Sequence, residues 1–285
     1  MITARARSFI RRRAPGPPFF LYAAYTAPHK ASGRRPYPPR CPGAAQPAPR
    51  HARLYEAIPL PRPPSFNERD VSDKPRQGRK PVGRLPLLRQ HDIDRIKKRY
   101  RCALEALRSV DEGVGAILDE LAAVGELDKT VIVFTSDNGY FVGEYRIPGE
   151  KNRAYEEAIR VPLVIRGPGF ARGRVSSRLA ANPDLTRTIL DAARARPGLP
   201  PDGVSLLRGA GSRRAIPIES EYFRGVRSRR FKYVVNAGGE RELYDLRRDP
   251  YELRNAISAD RYRDALARMR TLHARLRRCE GAACR

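Results

Sequence analysis

A long amphipathic helix that leads directly into a buried-strand pattern is the feature that most constrains the fold. Apolar side chains from Ile96 to Val124 recur at helical spacing, and Gly125 stands where a helix stop favours glycine. After a short turn comes the β-branched run 131–134 (VIVF), which is typical of a strand covered on both faces. The pattern predicts a helix-to-strand unit of an α/β sheet.

Further segments extend this prediction. The run 161–165 (VPLVI) repeats the buried-strand pattern, and Asn182 followed by Pro183 predicts a helix start with Asn182 as its capping residue. The apolar run 19–29 (FFLYAAYTAPH) favours a buried strand, because the Pro- and Gly-rich residues 15–18 before it break a helix. We expect a parallel or mixed sheet.

The C-terminal part has a different pattern. From Ala215 onward, two-sided alternation with a turn at 236–240 predicts an antiparallel meander, followed by an amphipathic helix at about 259–278. The predicted organisation is a basic N-terminal segment (1–18), a partial α/β domain (19–205) with a long irregular loop region (31–90), and a C-terminal sheet-plus-helix subdomain (206–285).

Charge gives a weaker indication of function. The 57 Lys and Arg residues against 31 Asp and Glu leave a formal charge of +26, which favours anionic partners. Only 8 of the basic residues are lysines, so 49 are arginines, and they are scattered rather than gathered in a stripe with aromatic residues. We therefore expect no specific nucleic-acid binding. No stretch reaches transmembrane length, and the basic start followed by an apolar run gives no convincing signal peptide.

The cysteines do not form a recognisable framework. Four cysteines without a CxxC pair indicate neither a disulfide-rich scaffold nor a zinc site. Cys279 and Cys284 are close enough in sequence to form a local bridge, and two free thiols are the alternative.

The sequence Asp137-Asn138-Gly139 after the first strand is the sharpest local signal. Oxygen ligands at the carboxyl end of a buried strand are where α/β sheets bind ligands, and a carboxylate with an amide carbonyl suits calcium or magnesium. The same three residues also form a common turn, so spacing alone leaves both interpretations open.

Two further polar residues are candidates for binding an anion. Lys151 lies in a Gly-containing segment where an ammonium group could meet an anion, and a solvated lysine is the alternative. His29 ends the apolar run 19–29, where an imidazole could donate to a substrate, and an ordinary loop histidine is the alternative.

Several stretches together resemble the carboxyl-terminal portion of a sulfatase, most closely the N-acetylglucosamine-6-sulfatase-like branch. The matching stretches are 19–29, 61–75, 108–140, 149–170 and 242–255 (ELYDLRRDPYELRN). The resemblance implies an alkaline-phosphatase-like α/β sheet sandwiched by helices, here incomplete, with a smaller antiparallel C-terminal subdomain.

The resemblance also implies a chemistry. Sulfatases hydrolyse sulfate monoesters, here on a sulfated small molecule or glycan, with a formylglycine nucleophile made from Cys or Ser and with a calcium ion. By similarity, Asp137 and Asn138 are metal ligands, Lys151 binds the sulfate and assists the ester oxygen, and His29 is a substrate-side donor. A secreted or extracytoplasmic location is expected for the family.

The sequence departs from the family pattern in its first half. No Cys/Ser-x-Pro-Ser-Arg cassette is present, and neither Cys41 nor Cys102 has the neighbours of a formylglycine precursor. We therefore expect a truncated form whose strands are partly uncovered, so that a stable monomer is doubtful. Tyr145 stands where many bacterial relatives have histidine and is assigned no catalytic role.

Two functions are alternatives to sulfate-ester hydrolysis. The first is that of an inactive remnant that binds anionic polymers, such as sulfated glycosaminoglycans, through its arginines. The second, phosphoester hydrolysis, is disfavoured because relatives with that activity use further His and Asp metal ligands. His51, His91 and His273 are expected to have no paired acids.

Overall fold

The computed structural model describes residues 1–13, 17–30, 40–41, 43–78, 81–207 and 213–284. The chain divides into two compact units. The first comprises Met1–Pro61 and Arg89–Val131, and the second comprises Arg62–Leu88 and Ile132–Arg285. The domain boundaries drawn from the sequence stay a prediction.

Two helices dominate the first unit. Helix α1 spans Ile2–Arg12, and α2 spans Gln90–Ala123, which confirms the predicted long helix. Gly125 adopts a left-handed φ of 71° just after α2, as expected for a helix stop. Short 3₁₀ turns at Pro49–His51 and Leu127–Lys129 complete the regular structure that is described in this unit.

Ion pairs and a disulfide hold the first unit together. Arg7 and Arg11 on α1 both donate to the carboxylate of Glu120 on α2, at 3.0 and 2.7 Å. Cys41 and Cys102 form a disulfide that the sequence did not predict. The bridge links α2 to a segment 61 residues earlier in the chain.

The expected buried strand within residues 19–29 is not formed. This segment has no strand assignment, and no strand in the described ranges pairs with it. Its alternate side chains face solvent, with Phe20 69% and Tyr22 81% exposed. The hydroxyl of Tyr25 lies 2.8 Å from that of Thr3 on α1. The prediction was wrong because β-propensity does not supply the hydrogen-bonded neighbour that a strand requires.

In the second unit, strands β1 (Ile132–Thr135) and β2 (Leu163–Arg166) form an antiparallel pair. A parallel arrangement is therefore wrong for these two strands, whereas a mixed sheet accommodates them. Complete coverage on both faces is also wrong, since Phe134 is 42% and Val164 is 62% exposed. The expectation of partly uncovered strands is confirmed, because β1 and β2 are the sole strands of this sheet in the described residues.

The predicted antiparallel meander and terminal helix are confirmed. The strands pair in the order of the chain, and the buried side chains of Val226, Tyr233 and Leu243 pack with those of Tyr262 and Met269. The elements are β3 (Ala215–Ser220), β4 (Phe223–Ser228), β5 (Phe231–Asn236), β6 (Arg241–Asp245) and α5 (Arg263–Leu276). After α5, Cys279 and Cys284 form the local bridge that the sequence left open.

Two shorter helices lie between β1 and β2 and between β2 and β3, respectively. Helix α3 spans Glu156–Ile159, and α4 spans Asn182–Ala192. The capping residue of α4 is Ala181, one residue earlier than predicted, because the carboxylate of Asp184 accepts the N–H of Ala181 at 2.9 Å. An acid in the third helical position thus replaces the cap that Asn182 was expected to provide.

Residues 62–88 have little regular structure apart from a 3₁₀ turn at Val82–Arg84. The guanidinium of Arg146 donates to the backbone carbonyls of Glu68, Arg69 and Leu85 at 2.6 to 2.8 Å. One side chain thereby fixes two ends of an irregular segment. Across the described part of the chain, no helix is both long enough and apolar enough to span a bilayer.

Candidate functional site

The loop that follows β1 carries the predicted oxygen ligands. Asp137 is exposed, and its Oδ1 accepts the N–H of Asn138 at 3.0 Å. The side-chain amide of Asn182, at the start of α4, donates to the carbonyls of Ser136 and Asp137 at 3.2 and 3.3 Å. The backbone of this loop is therefore held by α4, while the carboxylate faces solvent.

Gly139 makes a close backbone contact with the segment around α3. Its N–H donates to the carbonyl of Ala158 at 2.8 Å. A Cβ atom at this position would lie 2.0 Å from the carbonyl oxygen of Glu157, so no residue larger than glycine fits. The glycine of the Asp-Asn-Gly sequence thus has a packing role, beyond that of an ordinary turn.

The segment that carries Lys151 returns to the same loop. The N–H of Phe141 donates to the carbonyl of Glu150 at 3.0 Å, which brings Lys151 back towards the residues after Asn138. Lys151 is half-buried, and its ammonium makes no hydrogen bond or ion pair with a residue that the structure describes. An ammonium group without a counter-ion is suited to bind an external anion.

Asp137 and Asn138 fit a divalent metal in the kind of ligand they offer. The amide nitrogen of Asn138 donates to the carbonyl of Gly139 at 2.8 Å, which leaves its carbonyl oxygen for another partner. One carboxylate and one amide oxygen are hard ligands, and they supply part of the six to eight oxygens that calcium takes.

Within the described residues, three potential metal ligands lie close together in the first unit, away from this loop in sequence. That group is Cys41, Cys102 and Glu105. Both sulfur atoms belong to a disulfide, so they offer no thiolate to a metal. This group is therefore not a metal site.

His29 belongs to the first unit, whereas Asp137, Asn138 and Lys151 belong to the second. The histidine is exposed and its N–H donates to the carbonyl of Thr26 at 2.9 Å. Its ring Nδ1 lies 2.9 Å from the carbonyl of Lys30, which assigns the ring proton to Nδ1. Nε2 is then left as an acceptor in the neutral ring.

A buried tyrosine network lies behind the Lys151 segment, and the sequence did not predict it. The hydroxyls of Tyr155 and Tyr244 donate to the carboxylate of Glu242 at 2.9 and 2.6 Å. Tyr155 stacks on Tyr145 with ring centroids 4.2 Å apart. Burial, together with the nearby Glu242 carboxylate, raises the pKa of both Tyr155 and Tyr244, so these hydroxyls stay protonated donors.

Tyr145 is fully buried and has a left-handed φ of 51°. Its hydroxyl lies 3.0 Å from the carbonyl oxygen of Tyr251 and 3.2 Å from Oε2 of Glu157. Burial raises the pKa of Tyr145, as does the negative charge of Glu252. These contacts hold the Tyr145 side chain in the buried core of the second unit.

Two lysines of the second unit are buried among acids. Lys232 pairs with Glu252, and Lys74 lies 3.0 Å from Asp73 and 3.6 Å from Glu68. Burial raises the pKa of Glu68 and that of Glu252 to about 7, although the neighbouring lysines oppose this shift. The sequence gives one indication of these buried pairs, which is the position of Lys232 inside the alternating strand β5.

The expectation that the other histidines lack paired acids is wrong for two of them. Nε2 of His51 lies 2.7 Å from Glu112, and Nε2 of His91 lies 3.2 Å from Asp92. The partner of His51 is 61 residues away in sequence, so no local pattern shows it. His51 also contacts the hydroxyl of Ser109 at 3.0 Å, so that Ser109, His51 and Glu112 lie together. Nucleophilic catalysis by a serine also needs free N–H groups to stabilise an oxyanion, and the backbone N–H groups around Ser109 are bonded within α2.

Comparison with known proteins identifies the class and then the family. Among solved structures, BT4656 in complex with its substrate D-glucosamine-2-N,6-O-disulfate superposes with a TM-score of 0.76 at 24% identity, over 96% of this chain and 68% of that one. This similarity establishes an alkaline-phosphatase-like α/β fold. The sulfatase family model matches residues 1–195. The chain belongs to the sulfatase family.

Two curated relatives illustrate the family match. The arylsulfatase of Volvox carteri is 32% identical over 95% of this chain and 49% of its own length. The N-acetylglucosamine-6-sulfatase of Homo sapiens is 34% identical over 62% of this chain and 29% of its own length. Two algal arylsulfatases match 95% of this chain, and the chain spans about half of their length.

Proposed function

We propose that the protein represented by this chain hydrolyses sulfate monoesters on sulfated glycans. The observation that supports the proposal is the ammonium group of Lys151, which has no counter-ion among the described residues. The preceding residue, Glu150, is hydrogen-bonded to Phe141, three positions after Asn138 in a loop of the region that the sulfatase family model matches. The relatives named for N-acetylglucosamine-6-sulfatase activity, and the neighbour solved with a sulfated glucosamine, support the substrate class.

Each residue has one role in this proposal. Asp137 and Asn138 hold a divalent metal, proposed to be calcium, which when bound neutralises charge on the sulfate oxygens. Lys151 binds the sulfate and stabilises negative charge on the ester oxygen as the bond breaks. His29 is the proposed substrate-side donor, and donation requires a proton at Nε2, the nitrogen that is free of the Lys30 contact.

The formylglycine nucleophile is not assigned to a cysteine of this chain. All four cysteines form disulfides, and a bonded sulfur is not a precursor for an aldehyde. The two disulfides support the proposal that the chain matures in an extracytoplasmic, oxidising compartment.

Binding of inorganic sulfate to the full chain tests the site directly. We expect calorimetry to show sulfate binding that Lys151→Ala weakens at least about tenfold, because a charge-assisted bond is lost. Lys129→Ala removes an exposed lysine of the first unit and serves as the matched control. Equal affinity in Lys151→Ala and Lys129→Ala would contradict the assignment.

Sulfate release tests the activity itself. Protein purified from its natural source should release sulfate from an aryl sulfate and from a 6-O-sulfated glucosamine, and a chelator should stop the release. Asp137→Ala and Lys151→Ala, introduced into the same gene, should each lower kcat/KM by about a hundredfold or more. Full activity in both variants would refute the proposed roles.

The formal charge of +26 supports a second candidate, a non-catalytic binder of sulfated or other anionic polymers. It predicts retention on heparin that weakens steeply with salt, because bound counterions are released. Retention without any sulfate release by the natural protein would favour this function.

A further inference from the structure

Residues 249–255 form a turn that the proposed sulfate chemistry does not use. The carboxylate of Asp249 accepts the N–H groups of Leu253 and Arg254 at 3.0 and 2.9 Å. Glu252 has a left-handed φ of 51°, which non-glycine residues seldom adopt. Such a conformation persists only where the surrounding contacts impose it, so the contacts of Glu252 indicate what this turn does.

The Glu252 side chain is fully buried and binds two groups. Its Oε2 accepts the backbone N–H of Glu156 at 2.8 Å, and its Oε1 pairs with the ammonium of Lys232. Lys232 also lies 3.6 Å from the carboxylate of Glu156, which receives a further bond of 3.0 Å from Arg227. Glu252 thus fixes the backbone of Glu156 directly and its side chain through Lys232.

The segment that carries Lys151 ends at Glu156, where helix α3 begins. On the N-terminal side, the segment is fixed by the bond from the Phe141 N–H to the Glu150 carbonyl. On the C-terminal side, the segment is fixed by the buried Tyr155, whose hydroxyl bonds Glu242, and by the bond from the Glu156 N–H to Glu252. Because the Lys151 side chain has no partner among the described residues, the contacts at the two ends of its segment are what constrain its backbone.

We propose that Glu252 is a positioning residue for Lys151, acting through the backbone N–H of Glu156. The turn 249–255 thereby connects the C-terminal meander to the segment that binds the sulfate. The inference rests on the proposed function only for the role of Lys151.

Glu252→Gln in the full chain tests the proposal. The glutamine keeps the size of the side chain but has only one acceptor oxygen. If that oxygen accepts the N–H of Glu156, the amide N–H₂ faces the ammonium of Lys232, and two donors then oppose each other. We expect hydrogen exchange of the amides of residues 150–158 to speed up about tenfold or more. Affinity for inorganic sulfate should fall by about the same factor.

Two further variants separate positioning from general loss of stability. Asp245→Asn weakens the pair between the buried Asp245 carboxylate and the partly exposed Arg230 in the same sheet. It is the matched control and is expected to leave exchange of residues 150–158 within about twofold. Glu252→Gln combined with Lys232→Met removes the clash of donors and both charges. It should restore slow exchange and sulfate affinity, and it provides a folded variant if Glu252→Gln alone does not fold.

The outcomes distinguish this proposal from the proposed function. If Glu252→Gln and Asp245→Asn change the exchange of residues 150–158 equally, Glu252 has no specific positioning role. A failed rescue in the double variant would overturn the proposal as well. If wild-type protein and Lys151→Ala bind sulfate equally but Glu252→Gln still releases the segment, the sulfate role fails and the positioning by Glu252 stands.

Discussion

Glu120 in the first unit and the buried acids around Lys74 and Lys232 in the second unit are neutralised in different ways. In the first unit, Glu120 receives Arg7 and Arg11, whose side chains are 43% and 63% exposed. In the second unit, Lys74 and Lys232 are inaccessible to solvent and lie against acids that are mostly buried as well. The buried Glu120 carboxylate is reached from the surface by planar guanidinium groups, whereas the ammonium of a lysine is a compact point charge with several acceptors around it. The second unit uses arginines as well, which pair with Asp184 and Asp245.

This comparison gives meaning to the few lysines of an arginine-rich chain. Only 8 of 57 basic residues are lysines. Two of these, Lys74 and Lys232, are fully buried, and a third, Lys151, is the proposed sulfate ligand. In a chain whose surface cations are mainly arginines, a lysine within a strand or motif indicates a site where a point charge is needed.

The largest effect is expected from Lys232→Met in the second unit. The substitution leaves Glu252 and Glu156 without their shared cation in a buried site, which should lower the free energy of unfolding by about 4 kcal/mol. Urea denaturation measures the loss, with Lys129→Met at an exposed position as the control. A loss in Lys232→Met as small as that of the control would show that burial of lysine is not what distinguishes the second unit.

A smaller effect is expected from removal of the Cys41–Cys102 disulfide in the first unit. Replacing both cysteines by alanine frees a loop of 61 residues and should cost about 3 kcal/mol, mainly by raising the entropy of the unfolded chain. The paired change at Cys279 and Cys284, which close a separation of 5, should cost less. Thermal unfolding of both double variants ranks them, and the reverse order would contradict the loop-length explanation.

The smallest effects distinguish the units by the sign of their pH dependence. Burial raises the pKa of Glu68 to about 7, so its contribution to stability is complete below about pH 4 and is lost as the pH rises towards 7. The bond from Arg11, together with that from Arg7, lowers the pKa of Glu120, so its contribution is present above about pH 4 and is lost in acid.

Denaturation of Glu68→Gln and Glu120→Gln at several pH values measures both contributions. In wild-type protein, Glu68 should make the free energy of unfolding fall as the pH rises from about 5 to 7, and Glu68→Gln should lessen that fall. Glu120 should make the free energy of unfolding rise as the pH increases from acid, and Glu120→Gln should lessen that rise. The same sign in both variants would refute the contrast. High salt should weaken the Glu120 effect more, because its arginine partners are exposed.

The sequence predicted those elements whose cause is local. The long helix α2 and the meander follow from side-chain periodicity and glycine signals, and the structure confirms both. The strand expected within residues 19–29 was wrong, and β1 pairs antiparallel where a parallel or mixed sheet was expected, because pairing depends on partners distant in sequence. The Cys41–Cys102 bridge escaped prediction for the same reason.

The candidate site divides in a similar way. Asp137, Asn138 and Lys151 stand out because oxygen ligands after a strand and a lysine among glycines form local patterns. The contacts of Glu252 could not be predicted, since a glutamate in a charged stretch gives no sign of burial. The roles assigned to Asp137, Asn138, Lys151 and Glu252 stay proposals, which the experiments described above test.

The hold of Arg146 on residues 62–88 has a consequence for protease access. This stretch is rich in arginine and proline and has no ladder of backbone hydrogen bonds, so by composition it would be open to trypsin. Its carbonyls at Glu68, Arg69 and Leu85 are instead gathered on one guanidinium. The bonds between Asn67 and Leu88 hold the same region from within. Cutting by trypsin close to the three carbonyls should therefore report in part on Arg146, a residue outside the stretch.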